Sequence, residues 1–407
     1  MTDILVKLNS PGAEVNYIGR VPYYFRETTV KANGKQFKTP TRAATTVEFN
    51  SNSKLKEVIK ISSDISLVEK TLSEKDIGVL LHGINSYVNI NDSIDRHMSK
   101  MKYSALSGFL IRPQKKAKYL FASKKDRYEQ FYDYSAMMAN NTNANFWGLP
   151  FPHGLPIAEI KNLWDKYVIK RDSGDPYPLI FLDPSDEDFT AFQYLMPYLE
   201  TAVRSGHIQA IGLYYSSPLR MQPIIRELIT KFKDSDVAII TSGIRRESYH
   251  RSISGLHGQE LFMSDIVALA SGRWFPQEDT GGDKDVSEPS KPPLKAFLQK
   301  QLTVNDLLSL VNTKDKMEDF LNSVKNLQSN ELSKRIINIM EGNTLSGILQ
   351  NEEAFNTISN ALRLHEFEKS GEEIGKSREF ARKGEVRVYV KETKPTLDAW
   401  LHALQQR

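Results

Sequence analysis

Cysteine is absent from all 407 residues. That excludes disulfides and every thiolate metal site, and it fits a reducing compartment such as the cytoplasm. No apolar run approaches the roughly 18 residues that a membrane helix needs, so no membrane partner is expected. The first ten residues, MTDILVKLNS, have neither a basic start nor an apolar core, and no secretion signal is expected. A Walker-type glycine loop and a Gly-x-Ser-x-Gly elbow are both missing. Charge of one sign is scarce as well. A formal net charge of +4 permits a nucleic-acid partner, but only clustering of the cations would argue for one. What is present, 40% hydrophobic and 26% charged residues, is ordinary for a globular chain. The length suits one barrel-sized domain with an accessory region, or roughly two to three smaller domains.

The organising stretch is 237–275. It opens with the apolar run Val237-Ala238-Ile239-Ile240, breaks at Thr241-Ser242-Gly243, crosses a helix-length segment and enters a second apolar run at 265–270. Short apolar runs flanking a helix-length segment are the pattern of a βαβ unit in a buried parallel sheet. Upstream, strands are expected at 179–182 and 208–215, with helices at 186–204 and 218–232. This alternation predicts an α/β fold with right-handed crossovers, and function at strand ends such as 241–246 and 271–273.

The rest of the chain divides around that core. Residues 1–50 read as a hairpin-rich segment, with Asn33-Gly34 the clearest turn. Residues 54–75 read as helical or mixed, 77–81 as an apolar strand, 91–102 as a helix and 103–111 as a strand. Pro, Gly and charge dominate 277–293, which reads as a linker. Residues 294–407 read as a helical domain, with strand-like alternation only at 386–390.

Several side chains stand out chemically. Asp183 falls at the end of an expected strand, where barrel enzymes place functional groups, although helix capping is an equal reading. Asp265 enters the last strand; a turn or cap is its bland reading. Asp92 and Asp95 read as a solvated helix start. His82, His153, His250 and His257 share no metal-ligand spacing, so no metal site is assigned. A basic run interleaved with aromatics, from Arg112 through Lys115, Lys116, Lys118, Lys124 and Lys125, suits phosphates and stacked bases; a solvated charged face is the alternative. Arg245, Arg246 and Arg251 add charge near the core stretch.

Together, Val30-Lys31-Ala32-Asn33-Gly34-Lys35-Gln36-Phe37-Lys38-Thr39-Pro40, IGVLLHGINSYV at 77–88, YSALSGFL at 103–110 and the stretch 237–275 resemble, in their order, the tRNA-guanine transglycosylase family. The likeness is to the archaeal branch and the enzymes that place deazaguanine bases in DNA; residues 364–404 resemble the archaeal closing helices. The resemblance implies a (β/α)8 TIM-type barrel over 51–276 between a hairpin segment and a helical domain. It also implies a cytoplasmic glycosyltransferase exchanging guanine for a 7-deazaguanine base in tRNA or DNA through a covalent aspartate intermediate. Asp265 would be the nucleophile, Ser107, Gly108 and Phe109 the pocket floor, and Gly212 the point of close approach of a base. Two departures stand against this. Ala105 and Leu106 occupy the place of the family's proton-handling Asp, and Ala268 that of its nucleophile when Asp265 is aligned with the preceding Asp. The family's zinc site lacks its cysteines, so no cofactor is expected. The alternative is a catalytically silent paralogue that binds nucleic acid or serves as a partner subunit, whether to another protein or as a homodimer.

Overall fold

Alternating buried runs and amphipathic segments build a closed parallel barrel in the computed structural model. It describes residues 4–9, 16–18, 21–23, 27–55, 64–81, 88–101, 104–121, 123–172, 174–183, 189–215, 218–244, 255–256, 265–269, 294–385 and 388–394.

The chain begins with β1 (Leu5–Leu8), the pair β2 (Asn16–Ile18) and β3 (Val21–Tyr23), and the hairpin β4 (Thr28–Ala32) and β5 (Lys35–Lys38). Asn33 and Gly34 both have positive φ, +52° and +72°, which is what a two-residue type I′ hairpin loop requires. β1, β4 and β5 form one antiparallel sheet. Its buried residues Ile4, Val6, Val30, Ala32 and Phe37 share a core with the barrel interior. The backbone N–H of Val6 donates to Gln209 and that of Leu8 to Asp236, in the segments that lead into two barrel strands. The hairpin sheet therefore plugs the amino-terminal end of the barrel.

The barrel itself opens at β6 (Thr41–Arg42) and β7 (Ala44–Thr45), two pieces of one extended segment, ahead of the boundary expected at 51. Then come α1 (Thr46–Lys54), β8 (Ile65–Leu72), α2 (Glu74–Leu81), α3 (Val88–Lys100) and β9 (Leu106–Pro113). A 3₁₀ turn (Lys115–Leu120), α4 (Lys125–Asn141), β10 (Phe146–Leu149), α5 (Ile157–Trp164), β11 (Tyr177–Leu182) and α6 (Phe189–Arg204) follow. β12 (Ala210–Tyr214), α7 (Pro218–Phe232), β13 (Ala238–Ile244), the short β14 (Gly255–Leu256) and β15 (Ile266–Leu269) complete the series. The sheet order runs β6-β15-β13-β12-β11-β10-β9-β8-β7. Because β6 and β7 belong to one segment, the sheet's two ends meet and the barrel is closed. Ile266 pairs with Thr41 on one side and Ala44 with Ser66 on the other, both in parallel register.

Alternation along each strand sorts side chains into two cores. Inward positions such as Leu67, Leu110, Phe146, Leu179, Phe181, Ala210 and Ile240 fill the barrel. Outward positions such as Val68, Phe109, Ile180, Leu213 and Ile239 meet the helices. Glycine makes the inner packing possible. A Cβ at Gly212 would lie 2.5 Å from the Phe181 ring, and one at Gly108 would lie 2.4 Å from the Phe146 carbonyl oxygen.

Beyond the barrel come β16 (Lys295–Leu298), β17 (Thr303–Asp306), α8 (Leu307–Val311), α9 (Lys314–Lys325), α10 (Asn330–Gly342), α11 (Leu345–Gln350) and α12 (Glu352–Arg382). This region is mainly helical, as expected, but it opens with a hairpin that joins β14 in a small sheet. Residues 388–394 hold a π-helical turn, Tyr389–Thr393, and no strand. α12 packs on α1 and on β6. There the guanidinium of Arg42 donates to Glu48 at 3.0 Å, to the Glu366 carbonyl and to Ser370, and covers the Phe367 ring. Glu48 also closes the capping box of α1, accepting the Thr45 N–H at 2.9 Å.

Two further expected elements are corrected. Residues 77–81 are helical, not a strand: Ile77 and Leu80 are the buried face of α2. The signal was Ser73-x-x-Asp76, a helix-start box in which Ser73 and Asp76 bond reciprocally. The strand of this region is β8, inside the segment read as helical or mixed.

Candidate functional site at the barrel mouth

Above the packed Phe146 and Phe181 layer, the inward positions turn polar at the carboxy-terminal ends of the strands. Glu69 on β8 and Arg112 on β9 form an ion pair at 2.6 Å, with the carboxylate side chain 4% exposed and the guanidinium 30%. The Arg112 guanidinium lies 5.0 Å from the centre of the Tyr214 ring, on β12 across the barrel. Burial holds the Tyr214 phenol far above its ordinary range; Arg112 opposes this, while Glu69 and Asp183 reinforce it. On β13, Gly243 has φ +75° at a shift in the pairing with β15. A Cβ there would sit 3.7 Å from Glu69 Oε1 and 3.9 Å from Arg112 Nη2, which places this bend against the ion pair.

A second cluster shares the mouth. Asp183 follows β11, and its Oδ2 accepts from Lys118 Nζ at 2.8 Å, with His153 Nε2 at 3.5 Å. Lys118 and His153 are themselves 3.2 Å apart. Three connecting segments thus deliver one carboxylate, one ammonium and one imidazole to a single point. Asp183 and Glu69 act electrostatically on the same phenol, so the two clusters face one region. Such an arrangement could chemically accommodate a polar ligand, with proton donors and acceptors around it.

The residues expected from sequence fall in different places. Asp265 is 1% exposed and sits before β15, at the amino-terminal end of the barrel, where its Oδ2 accepts the Ile239 N–H at 2.8 Å. It ties the starts of two strands together, on the end plugged by the hairpin sheet. Ser107, Gly108 and Phe109 lie within β9. Phe109 faces the helices, and Gly108 accommodates Phe146. Ser107 lines a polar cavity of about 520 Å³ with Asn33, Asp95, Asn141 and Asn145, beside the start of β9 and the tip of the hairpin. Gly212 is covered by Phe181.

Much of the basic run is drawn into the mouth. Arg112 and Lys118 hold the two carboxylates, and Lys125 pairs with Glu129 at 3.6 Å on α4. Lys124 is exposed at the start of α4, Lys115 and Lys116 lie in the 3₁₀ turn, and Tyr119 is 57% exposed beside them. Arg245, Arg246, Arg251, His82, His250, His257, residues 271–273 and the expected linker lie outside the described residues. Among the described residues, no group of three or more His, Asp or Glu side chains is arranged to hold a metal ion. Likewise, no described helix is long and apolar enough to cross a membrane. Ser242 falls within the strand end 241–246 expected to carry function, whereas Glu69 and Tyr214 carry no such local signal. Once β8 is recognised, alternation with Ile65 and Leu67 marks Glu69 as inward-facing.

No family model and no curated protein sequence matches the chain. Solved structures with a similar course include a GH18 chitinase from Pseudoalteromonas aurantia, at 10% identity and a TM-score of 0.35, covering 56% of this chain and 92% of that one. A variant of NCR from Zymomonas mobilis is similar at 9% identity and a TM-score of 0.34, covering 57% and 82%. A putative dihydrodipicolinate synthase family protein from Coccidioides immitis is similar at 9% identity and a TM-score of 0.32, covering 85% and 97%.

Proposed function

We propose that this chain is a transglycosylase-like barrel protein that exchanges a guanine-type base in tRNA or DNA at the carboxy-terminal mouth, with Asp183 as its reacting carboxylate. The observation that carries this reading is the pair of carboxylates, Asp183 and Glu69, each held by a cation at that mouth. Breaking and remaking a bond at a sugar carbon calls for one carboxylate to meet the developing positive charge and a second acid–base group to serve the leaving base. Asp183 takes the first role, and Lys118 and His153, at 2.8 and 3.5 Å from its Oδ2, are the proton-handling groups beside it. Glu69, clamped by Arg112, forms the floor. Asp265 is left with a structural task, because a carboxylate committed to a buried backbone N–H at the opposite end of the barrel has no path to the mouth. Lys124 and Tyr119, exposed at the rim after β9, supply a charge for a phosphate and a ring for a displaced base.

The test is incorporation of labelled guanine into tRNA and into duplex DNA by wild type, Asp183→Asn and Asp265→Asn. Loss in Asp183→Asn alone, together with loss of a denaturation-resistant adduct, is the expected result. Incorporation that survives Asp183→Asn would remove this residue from the chemistry. A second reading, a silent paralogue that only binds nucleic acid, has one observation in its favour: both mouth carboxylates are already neutralised by cations. It predicts salt-dependent binding without incorporation or adduct.

A further inference from the structure

Among the described residues, several buried polar atoms at the mouth have no protein partner. Tyr214 is 3% exposed and Ser242 is 1% exposed, yet no described residue hydrogen-bonds the Tyr214 hydroxyl, the Ser242 hydroxyl or Arg112 Nε. Tyr214 and Ser242 are register partners on β12 and β13, and strand alternation turns both inward, above Ala210 and Gly212 on one strand and Ala238 and Ile240 on the other. Buried donors are nearly always paired in folded proteins, and leaving one unpaired is destabilising. Orphans from three strands of an otherwise apolar interior are therefore unlike core packing and like the lining of a binding site.

The chemistry of the occupant follows from its surroundings. Glu69 already cancels the charge of Arg112 at 2.6 Å, so an anion gains no unpaired cation there. The Tyr214 ring packs against the Arg112 guanidinium at 5.0 Å and the Phe181 ring at 5.1 Å, which leaves its hydroxyl as the polar group it offers. Burial keeps that hydroxyl protonated, a donor across the ordinary pH range.

We propose that Tyr214, Ser242 and the Arg112 Nε–H form a recognition well for the carbonyl oxygen of an uncharged amide or lactam group, entering end-on from the mouth. The inference rests on the mouth being the working site, but its test needs no turnover. Binding of 2-pyridone and uracil to the full chain is followed by ligand-detected NMR, with pyridine, pyrimidine, acetate and inorganic phosphate as controls. The two lactams should bind in about the millimolar range expected of fragments, and pyridine and pyrimidine should not. Tyr214→Phe and Ser242→Ala should each weaken lactam binding about tenfold, the effect of one lost hydrogen bond. Free of ligand, both variants should melt no lower than wild type, because each deletes an unsatisfied group.

Absence of lactam binding, or binding that neither substitution weakens, overturns the proposal. So does preference for acetate or phosphate, or a clear drop in melting temperature of both variants. Asp183→Asn should retain lactam binding. Lactam binding without base exchange therefore leaves the well standing and removes the chemistry; exchange that depends on Asp183 without lactam binding removes only the well.

Discussion

Gly212 separates two views of the barrel interior, because they predict opposite signs for one methyl group. If position 212 were open space kept for a base, Gly212→Ala would stabilise the strand by about 0.5–1 kcal/mol, since glycine is the poorer strand residue. In the structure the added Cβ would lie 2.5 Å from Cγ, Cδ1 and Cδ2 of Phe181, well inside contact distance. The ring has nowhere to retreat. Phe181 is fully buried, its ring also approaches Gly148, where a Cβ would stand 3.0 Å from Cδ2, and the Tyr214 ring lies 5.1 Å away. Forcing a methyl into such packing typically costs about 1–3 kcal/mol. Gly108→Ala should cost more, because its Cβ would meet the Phe146 carbonyl oxygen at 2.4 Å, and a backbone atom yields less readily than a side chain. Urea unfolding midpoints of the single variants measure this. Phe181→Leu in the Gly212→Ala background should recover part of the loss, and the double-mutant cycle isolates the clash. A Gly212→Ala protein as stable as wild type, or more stable, would refute the packing account.

Two further perturbations probe the frame around the site. Arg42→Ala strips the partner from Glu48, whose side chain is 5% exposed, and leaves a buried carboxylate uncompensated; a loss of about 3–5 kcal/mol is expected by denaturant titration. Arg42→Lys should restore only part of it, since one ammonium cannot reach Glu48, Ser370 and the Glu366 carbonyl together. Burial pushes the His365 imidazole from 6.5 down to about 3. Between those values the unfolded chain binds the extra proton, so stability is present above pH 6.5 and is lost as pH falls, by about 1.4 kcal/mol per unit. His365→Gln should flatten that slope between pH 6.5 and 5.5, before the carboxylates titrate; equal slopes in variant and wild type would contradict it.

How much of this was legible depended on whether a signal was local. The Asn33-Gly34 hairpin was, because its positive φ values restrict the residues that fit. The run from β11 to β13 was, because apolar strands and amphipathic helices alternate there without interruption. Residues 77–81 misled because five apolar residues fit a strand or the face of a helix equally; only Ser73-x-x-Asp76 decides between them. The β16–β17 hairpin was hidden because Lys295, Gln299 and Lys300 interrupt its pattern within a helical context. Asp183 was readable as a strand end. Asp265 was misplaced because the sequence shows that a carboxylate adjoins a strand, but not whether its side chain bonds a neighbouring backbone. That bond, to Ile239, spans two strands.

The fate of the basic run follows from the same non-local geometry. Read along the chain, Arg112 and Lys118 belong to a stripe of cations facing an external polyanion. In space, Arg112 reaches back to Glu69 on β8, and Lys118 reaches forward to Asp183 after β11. Burying a carboxylate is costly unless a cation and hydrogen bonds accompany it, and the Glu69 side chain is 4% exposed. The mouth can hold two carboxylates above an apolar interior only because the end of β9 and the 3₁₀ turn after it supply a partner to each. That stretch is thus the electrostatic frame of the site. Substitutions at Arg112 or Lys118 should disturb the mouth itself, whereas one at Lys124, exposed on the rim, should change only the approach of a charged partner.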